Sequence, residues 1–290
     1  FILPIGASDG HVCRGDTVAL QTSTMLKLAM LLDNAGEPVS DTRYRDARDL
    51  KQLGYNGLVL WETTSLSGVD QPSSVGGGEM RRWVDRQFEV VTERIQQAQA
   101  AGLDVYLTYD ALTLPREVVD GSPSTLLCKH RSTMLFPGSD QARTLARQGL
   151  EGMLSRLPKG TGVILRFGDS VGNRLPYLVG NDIFIPHCPR CSSLDRVDRI
   201  ATVLDDYYQL VVKQLGKRLI ARAWNVRPDG MHDSVEVCKK LVDRLPGKSN
   251  DDKFILSFKF TETDFWRYQR WNPASLVFGD RPIIYELQCQ

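Results

Sequence analysis

The chain has 290 residues, 42% hydrophobic and 24% charged, and its 36 Lys and Arg against 35 Asp and Glu leave a net charge of +1. That balance gives no electrostatic footprint for nucleic acid or an anionic membrane, and the composition is that of a globular chain with a large core. No apolar run approaches the ~20 residues of a membrane-spanning helix, and no targeting signal is visible ahead of Phe1. The opening on Phe1 predicts a chain processed or cut at its start, so compartment and oligomeric state are not legible here.

Residues 1–24 form an N-terminal segment without clear periodicity, and strand and helix patterns alternate from 25 onward. MLKLAMLLDN (25–34) reads as the first strand, and DTRYRDARDLKQLG (41–54) as a helix capped by Asp41 and ended by Gly54. YNGLVLWETT (55–64) is strand two. The loop at 65–79, rich in Gly and Ser, is expected to be mobile. A long amphipathic helix over 81–102 repeats Trp83, Phe88, Val91 and Ile95 at helical spacing. Strand three is 103–112, a helix capped by Ser139 spans 139–158, and strand four is 161–170. A helix over 193–216, strand five at 217–225, a helix at 234–247, strand six from 252 and strand seven, RPIIYELQC, complete the series.

Regular alternation with continuous apolar strands predicts a parallel sheet covered by helices. Seven units without a G-x-G-x-x-G after strand one favour a (β/α)8 TIM-type barrel over a doubly wound sheet. Residues 25–290 are read as one such domain, cut after strand seven, with the eighth strand expected beyond Gln290 or from the opening FILPIGAS.

Barrel sites lie at the carboxyl ends of the strands. Those ends carry Trp61 and Glu62, Tyr109 and Asp110, Arg166 and Asp169, Arg222, Trp224 and Asn225, Lys259, and Glu286 with Gln288. Side chains alternate faces along a strand, so Phe254, Leu256, Phe258 and Phe260 face helices while Ser257, Lys259 and Thr261 point inward. The same alternation groups Ile284, Glu286 and Gln288. A lysine inside a barrel must be paired, because an unpaired buried charge costs several kcal/mol. Glu286, Asp110 and Glu62 are its candidate partners. Two carboxylates across a cleft are what glycosidic cleavage needs: one protonates the leaving oxygen, the other attacks or activates water. Glu286 and Asp169 are that candidate catalytic pair. Glu62, Asp110, Arg166, Arg222, Trp224, Asn225, Lys259, His232 and Trp61 are candidate substrate-binding residues, with Tyr109 and the tryptophans as sugar-stacking groups.

These positions resemble retaining glycoside hydrolase barrels, which place the acid/base after strand four and the nucleophile after strand seven. LRFGDS, IARAWNVRPDGMHDS and TETDFWRYQRWNPASLVFGDRPIIYELQCQ further resemble bacterial α-glucuronidase-like barrel proteins over residues 25–290. The Asn typical before the strand-four acid is replaced by Gly168. The resemblance implies hydrolysis of a poly- or oligosaccharide, with Arg166, Arg222 or Lys259 holding a uronic carboxylate. It implies a carbohydrate partner and no required cofactor. Two alternatives stay open: a barrel that binds carbohydrate without turnover, and a lyase or aldolase using Lys259 as a Schiff-base nucleophile.

Six cysteines are too few and scattered for a disulfide scaffold. Cys238 and Cys289 sit in apolar settings and read as buried thiols. PHCPRCSS holds His187, Cys188 and Cys191, and LLCKH holds Cys128 and His130. Together these offer a tetrahedral site for structural zinc, a thiol pair, or thiols that pack a loop. Similar CPxC loops after strand four occur in the barrel proteins that this chain resembles, which implies a loop-shaping role.

Overall fold

The computed structural model describes residues 25–31, 45–122, 124–128, 131–167, 175–180, 183, 189–223, 230–232, 234–263 and 268–287. Seven strands form one sheet: β1 (Leu28–Leu31), β2 (Gly57–Leu60), β3 (Asp104–Asp110), β4 (Gly162–Phe167), β5 (Arg218–Ala223), β6 (Phe254–Lys259) and β7 (Ile283–Glu286). Every pairing is parallel, and the spatial order is the chain order from β1 to β7. A doubly wound sheet would reverse direction at a switch point; this sheet never does. Winding one way sends every crossover to the same face, as in a (β/α) barrel.

That face is packed by α1 (Ala47–Gln52), α2 (Glu79–Ala100), α3 (Asp140–Arg156), α4 (Arg196–Tyr208) and α5 (Val235–Leu241). The large core lies between sheet and helices, with Phe254, Leu256 and Phe258 of β6 in it, as strand alternation predicts. The other face has a smaller core of its own. Val59, Tyr106, Ile164, Ile220 and Ile255, one from each of β2 to β6, pack together with Leu28 and Met30 of β1 and Ile284 of β7. The buried members of this cluster are strand residues alone, yet all five are 6% exposed or less, which requires the sheet to curl over them; this face is the concave interior.

Helix ends follow from local chemistry. The Ser139 hydroxyl accepts from Ala142 N–H at 3.3 Å and starts α3 as expected. The first helix is capped by Asp46, whose carboxylate accepts from Arg48 N–H at 2.7 Å, rather than by Asp41, which lies outside the described residues. Gly54 ends it at φ 89°, in the region that favours glycine. The helix expected from residue 193 starts instead at Arg196, because the Asp195 carboxylate caps it through Asp198 N–H. On α2, Val84, Phe88, Val91, Ile95 and Ala98 are buried.

The first part of the loop read as mobile, 65–69, is packed, whereas most of 70–79 is exposed. Trp61–Leu66 forms a 3-10 helix, and Ser65, Leu66, Ser67, Val69 and Val75 are buried. Two glycines on α3 make room for it: a Cβ on Gly149 would meet Gly68 Cα at 2.8 Å, and one on Gly152 would meet Asp70 Cβ at 2.4 Å. Tyrosine hydroxyls fix its backbone, with Gly68 N–H donating to Tyr109 and Tyr177 donating to Ser65 C=O. Among the described residues no helix is long and apolar enough to cross a membrane.

Candidate active site

Parallel register places inward residues of neighbouring strands side by side, about 4.8 Å apart. Asp110 of β3 pairs in register with Arg166 of β4, Arg166 with Arg222 of β5, and Arg222 with Ser257 of β6. Two residues further up β6, Lys259 is in register with Glu286 of β7. All lie on the face that carries the inner apolar cluster, one or two inward positions nearer the carboxyl ends. The concave interior is therefore apolar at its base and charged above.

Two ion pairs cross strands in this layer. Arg166, 1% exposed, lies 3.4 Å from the fully buried Asp110 carboxylate. Arg222 grips Glu286 with two bonds, Nε to Oε1 at 2.6 Å and Nη2 to Oε2 at 3.0 Å. Ser257 donates to the same Oε1 at 3.0 Å. Arg166 and Arg222 are register neighbours of like charge, and the Trp61 ring moderates that repulsion. Its centre lies 3.9 Å from the Arg166 guanidinium carbon and 5.2 Å from that of Arg222, so one ring serves both cations.

Burial pushes the Glu286 carboxyl up, but the Arg222 guanidinium, the Ser257 hydroxyl and the Lys259 ammonium outweigh it and hold the group below the usual carboxylate range. Glu286 is therefore an anion at neutral pH. It can stabilise positive charge, attack a carbon or accept a proton, and it does not donate one.

The other predicted residues are placed elsewhere. Glu62, next to Trp61 but of opposite parity, is buried and ion-paired with Arg94 of α2, on the helix side. His232 stacks on Phe258 with ring centroids 6.1 Å apart, and its Nε2 lies 3.3 Å from Thr261 C=O. Asn272 Nδ2 donates to His232 C=O at 2.7 Å. Burial lowers the His232 imidazole to about 4, so it is neutral at pH 7. Tyr109 is corrected as a sugar-stacking residue: it points into the outer core and donates to Ala146 C=O at 2.7 Å, because its parity is opposite to that of Asp110. Cys128 and Cys191 come together, with Sγ atoms 3.0 Å apart. Asp169, Trp224, Asn225, Gln288, His130, His187, Cys188 and Cys289 lie outside the described residues.

Sequence reasoning placed Ser257 inside the barrel without assigning it a partner, and it missed Trp61 as the ring that two guanidiniums approach. The cross-strand register that creates both contacts is not visible in any single segment.

No family model matches the chain, and no curated protein matches it. Among solved structures it is similar to dispersin B, at 10% identity over 89% of this chain and 70% of that one, with a TM-score of 0.48. It is similar to an O-GlcNAc hydrolase mutant of Thermobaculum terrenum at 11% identity over 81% of this chain and 41% of that one, TM-score 0.47. A GH20 beta-N-acetylhexosaminidase of Streptomyces coelicolor A3(2) aligns at 13% identity over 89% and 47%, TM-score 0.44. The chain thus spans less than half of two of these proteins. At such values the likeness carries no activity or substrate across. The class of fold, a one-way-wound parallel (β/α) barrel-type sheet, stands on the strand order itself.

Proposed function

We propose that this chain hydrolyses glycosidic bonds of a poly- or oligosaccharide, with the charged layer above the inner core as its site. The observation that carries the reading is Glu286: an ionised carboxylate, inward on the seventh strand, held by Arg222, Ser257 and Lys259. An anion in that place suits the nucleophile or base of a two-carboxylate mechanism. The proton donor must be a different group, and Asp169, two residues past the end of β4, takes that role by its place in the sequence. Trp61, Asp110 and Arg166 form the adjoining wall; Trp224 and Asn225, just past β5, are assigned to binding by sequence position.

Arg166, Arg222 and Lys259 lie in this layer beside Asp110 and Glu286, and a planar guanidinium suits the carboxylate of an acidic substrate such as a uronic sugar. Arg222 Nη1 is buried and has no hydrogen-bond partner among the described residues, so the guanidinium retains donor capacity. A substrate carboxylate that engages Arg222 competes with Glu286 for it and loosens the grip that restrains Glu286 as a nucleophile.

The test is a reducing-end assay over neutral and uronate-containing oligosaccharides. Wild type should turn over at least one of them, and Glu286→Gln should lower turnover by about 10³-fold or more with binding retained. Unchanged turnover in Glu286→Gln removes it from the chemistry. One observation favours a second reading, a barrel that binds sugar without cleaving it: both Glu286 oxygens are already engaged. That reading predicts binding by calorimetry with no turnover by wild type.

A further inference from the structure

Cys128 follows β3 and Cys191 follows β4, 63 residues later, yet the two meet: both are buried and their sulfurs lie 3.0 Å apart. No third metal donor joins them among the described residues, so the chemistry these two atoms offer is that of a dithiol. We propose that Cys128 and Cys191 are a reversible redox pair, whose disulfide fastens the segment that follows β3 to the one that follows β4.

The fold holds the two thiols face to face without a bond between them. Cys128 lies in the short hairpin formed by Leu127–Cys128 and Arg131–Leu135, and Cys191 in the four-residue helix Pro189–Ser192. Arg199 Nη1, from α4, donates to Cys191 C=O at 2.8 Å. Arg190 bridges the two segments: its Nη1 donates to Thr125 C=O at 3.2 Å, and its guanidinium carbon lies 3.7 Å from the Phe136 ring centre. Closing so long a stretch of chain costs entropy, and these contacts have met that cost before the sulfurs react. The sulfurs then need only close from 3.0 Å to about 2.05 Å. A hairpin and a single helical turn are marginal by themselves, so a covalent tie between them has something to stabilise.

Each thiol gives up its proton and one electron, and one S–S bond forms. A low-molecular-weight disulfide such as oxidised glutathione takes the two electrons and two protons, by way of a mixed disulfide, and leaves as two thiols. Both sulfurs are covered in the folded chain, so the oxidant reaches them through local opening. The surroundings suit that. The buried members of the cluster are only Cys128, Phe136 and Cys191, with Met134 and Leu194 against them, separate from both barrel cores. Cys238 is the contrast: it is buried in the large core, with its thiol donating to Met231 C=O at 2.9 Å, and it is uncovered only when that core opens. The crosslink therefore restrains two segments that leave the strands carrying Asp110 and Arg166.

The reduced 290-residue chain is equilibrated without oxygen at graded ratios of oxidised to reduced glutathione, alkylated in denaturant and read by non-reducing peptide mass spectrometry. Wild type should give a Cys128–Cys191 crosslink that dithiothreitol reverses, while Cys238 is recovered as a free thiol. Because the fold holds the pair together, half oxidation should need at least about a 10-fold lower ratio than in the same chain unfolded in urea. Oxidised wild type should melt about 5 °C or more above Cys128→Ser carried through the same series. The crosslink readout needs no variant to fold. Wild type that keeps both thiols reduced at the most oxidising ratio overturns the proposal. So does a glutathione mixed disulfide at either cysteine without the crosslink, or a crosslink to Cys188 in its place. Half oxidation at one ratio in folded and unfolded chain also overturns it.

Discussion

Glu286 and His232 sit near one another yet titrate in opposite senses, and pH separates them. Glu286 is charged when folded and its acidity is strengthened, so its contribution to stability is complete above its ordinary value of 4.5 and is lost as pH falls below it. His232 is neutral when folded, depressed from 6.5 to about 4. Protonation favours the unfolded chain, so the cost appears earlier, as pH falls from 6.5 toward 4, and reaches about 3 kcal/mol. Thermal melts between pH 7 and 5 should therefore report His232, and His232→Gln should flatten that slope while leaving the acid limb below pH 4.5 in place. An unchanged slope would mean that the imidazole is not buried neutral. The ion pair has its own signature. Arg222→Met leaves Glu286 charged and half-buried without its bidentate partner, and should cost about 2–4 kcal/mol in urea denaturation. Adding Glu286→Gln should recover more than half of the loss, because the uncompensated charge is then gone. Equal costs for the single and double variants would assign the loss to packing of the Arg222 stem.

Elements were legible in the sequence to the extent that their signals are local, and the partly buried loop at 65–79 shows the limit. Its Gly and Ser content matches a flexible linker, yet it is held by Gly149 and Gly152, which lie about eighty residues away on α3 and read in sequence as ordinary helix weaknesses. Gly149→Ala puts a methyl 2.8 Å from Gly68 Cα and carbonyl oxygen, backbone atoms that cannot rotate away. It should destabilise the chain by about 1–3 kcal/mol although alanine is the better helix former. Gly77→Ala, where a Cβ meets nothing within 4 Å, should be neutral or slightly stabilising. A stabilising Gly149→Ala in denaturant melts would refute the close approach. Strand alternation fared better, because a period of two needs only one strand to be read: it correctly turned Ser257 and Lys259 inward and Phe254, Leu256 and Phe258 outward, whereas Phe260, one residue past the strand's end, is 44% exposed rather than packed on helices. The start expected at 193 slipped because the capping acid, Asp195, lies two residues further on. The partners in the charged layer were beyond reach for a related reason. Arg222 meets Glu286 through the register of β5, β6 and β7, and register is a property of three segments at once.

Burial across the whole sheet is graded, and the grading has a consequence for the site. The inner cluster is buried at β2 to β6 but only partly so at Leu28 and Met30 of β1 and at Ile284 of β7. The charged layer follows the same trend: the Asp110 and Arg166 side chains are 0% and 1% exposed, Arg222 8% and Glu286 15%. Next to Glu286, Tyr285 and Leu287 are 36% and 69% exposed. Local opening free energy rises with buried apolar contact, so amides of β7 should exchange through local opening while those of β4 wait for global unfolding. Hydrogen exchange read by mass spectrometry should find β7 at least about 100-fold faster than β4. Equal protection would show that the sheet opens as one unit. The proposed catalytic carboxylate thus rides on one of the least buried strands, tied to the interior by Arg222 and Ser257. A ligand that engages Arg222 in place of Glu286 should therefore speed exchange in β7 and leave β4 unchanged, whereas one that bridges both groups should slow β7 alone. Exchange in β7 that ignores an oligosaccharide already shown to bind would place the binding site away from the charged layer.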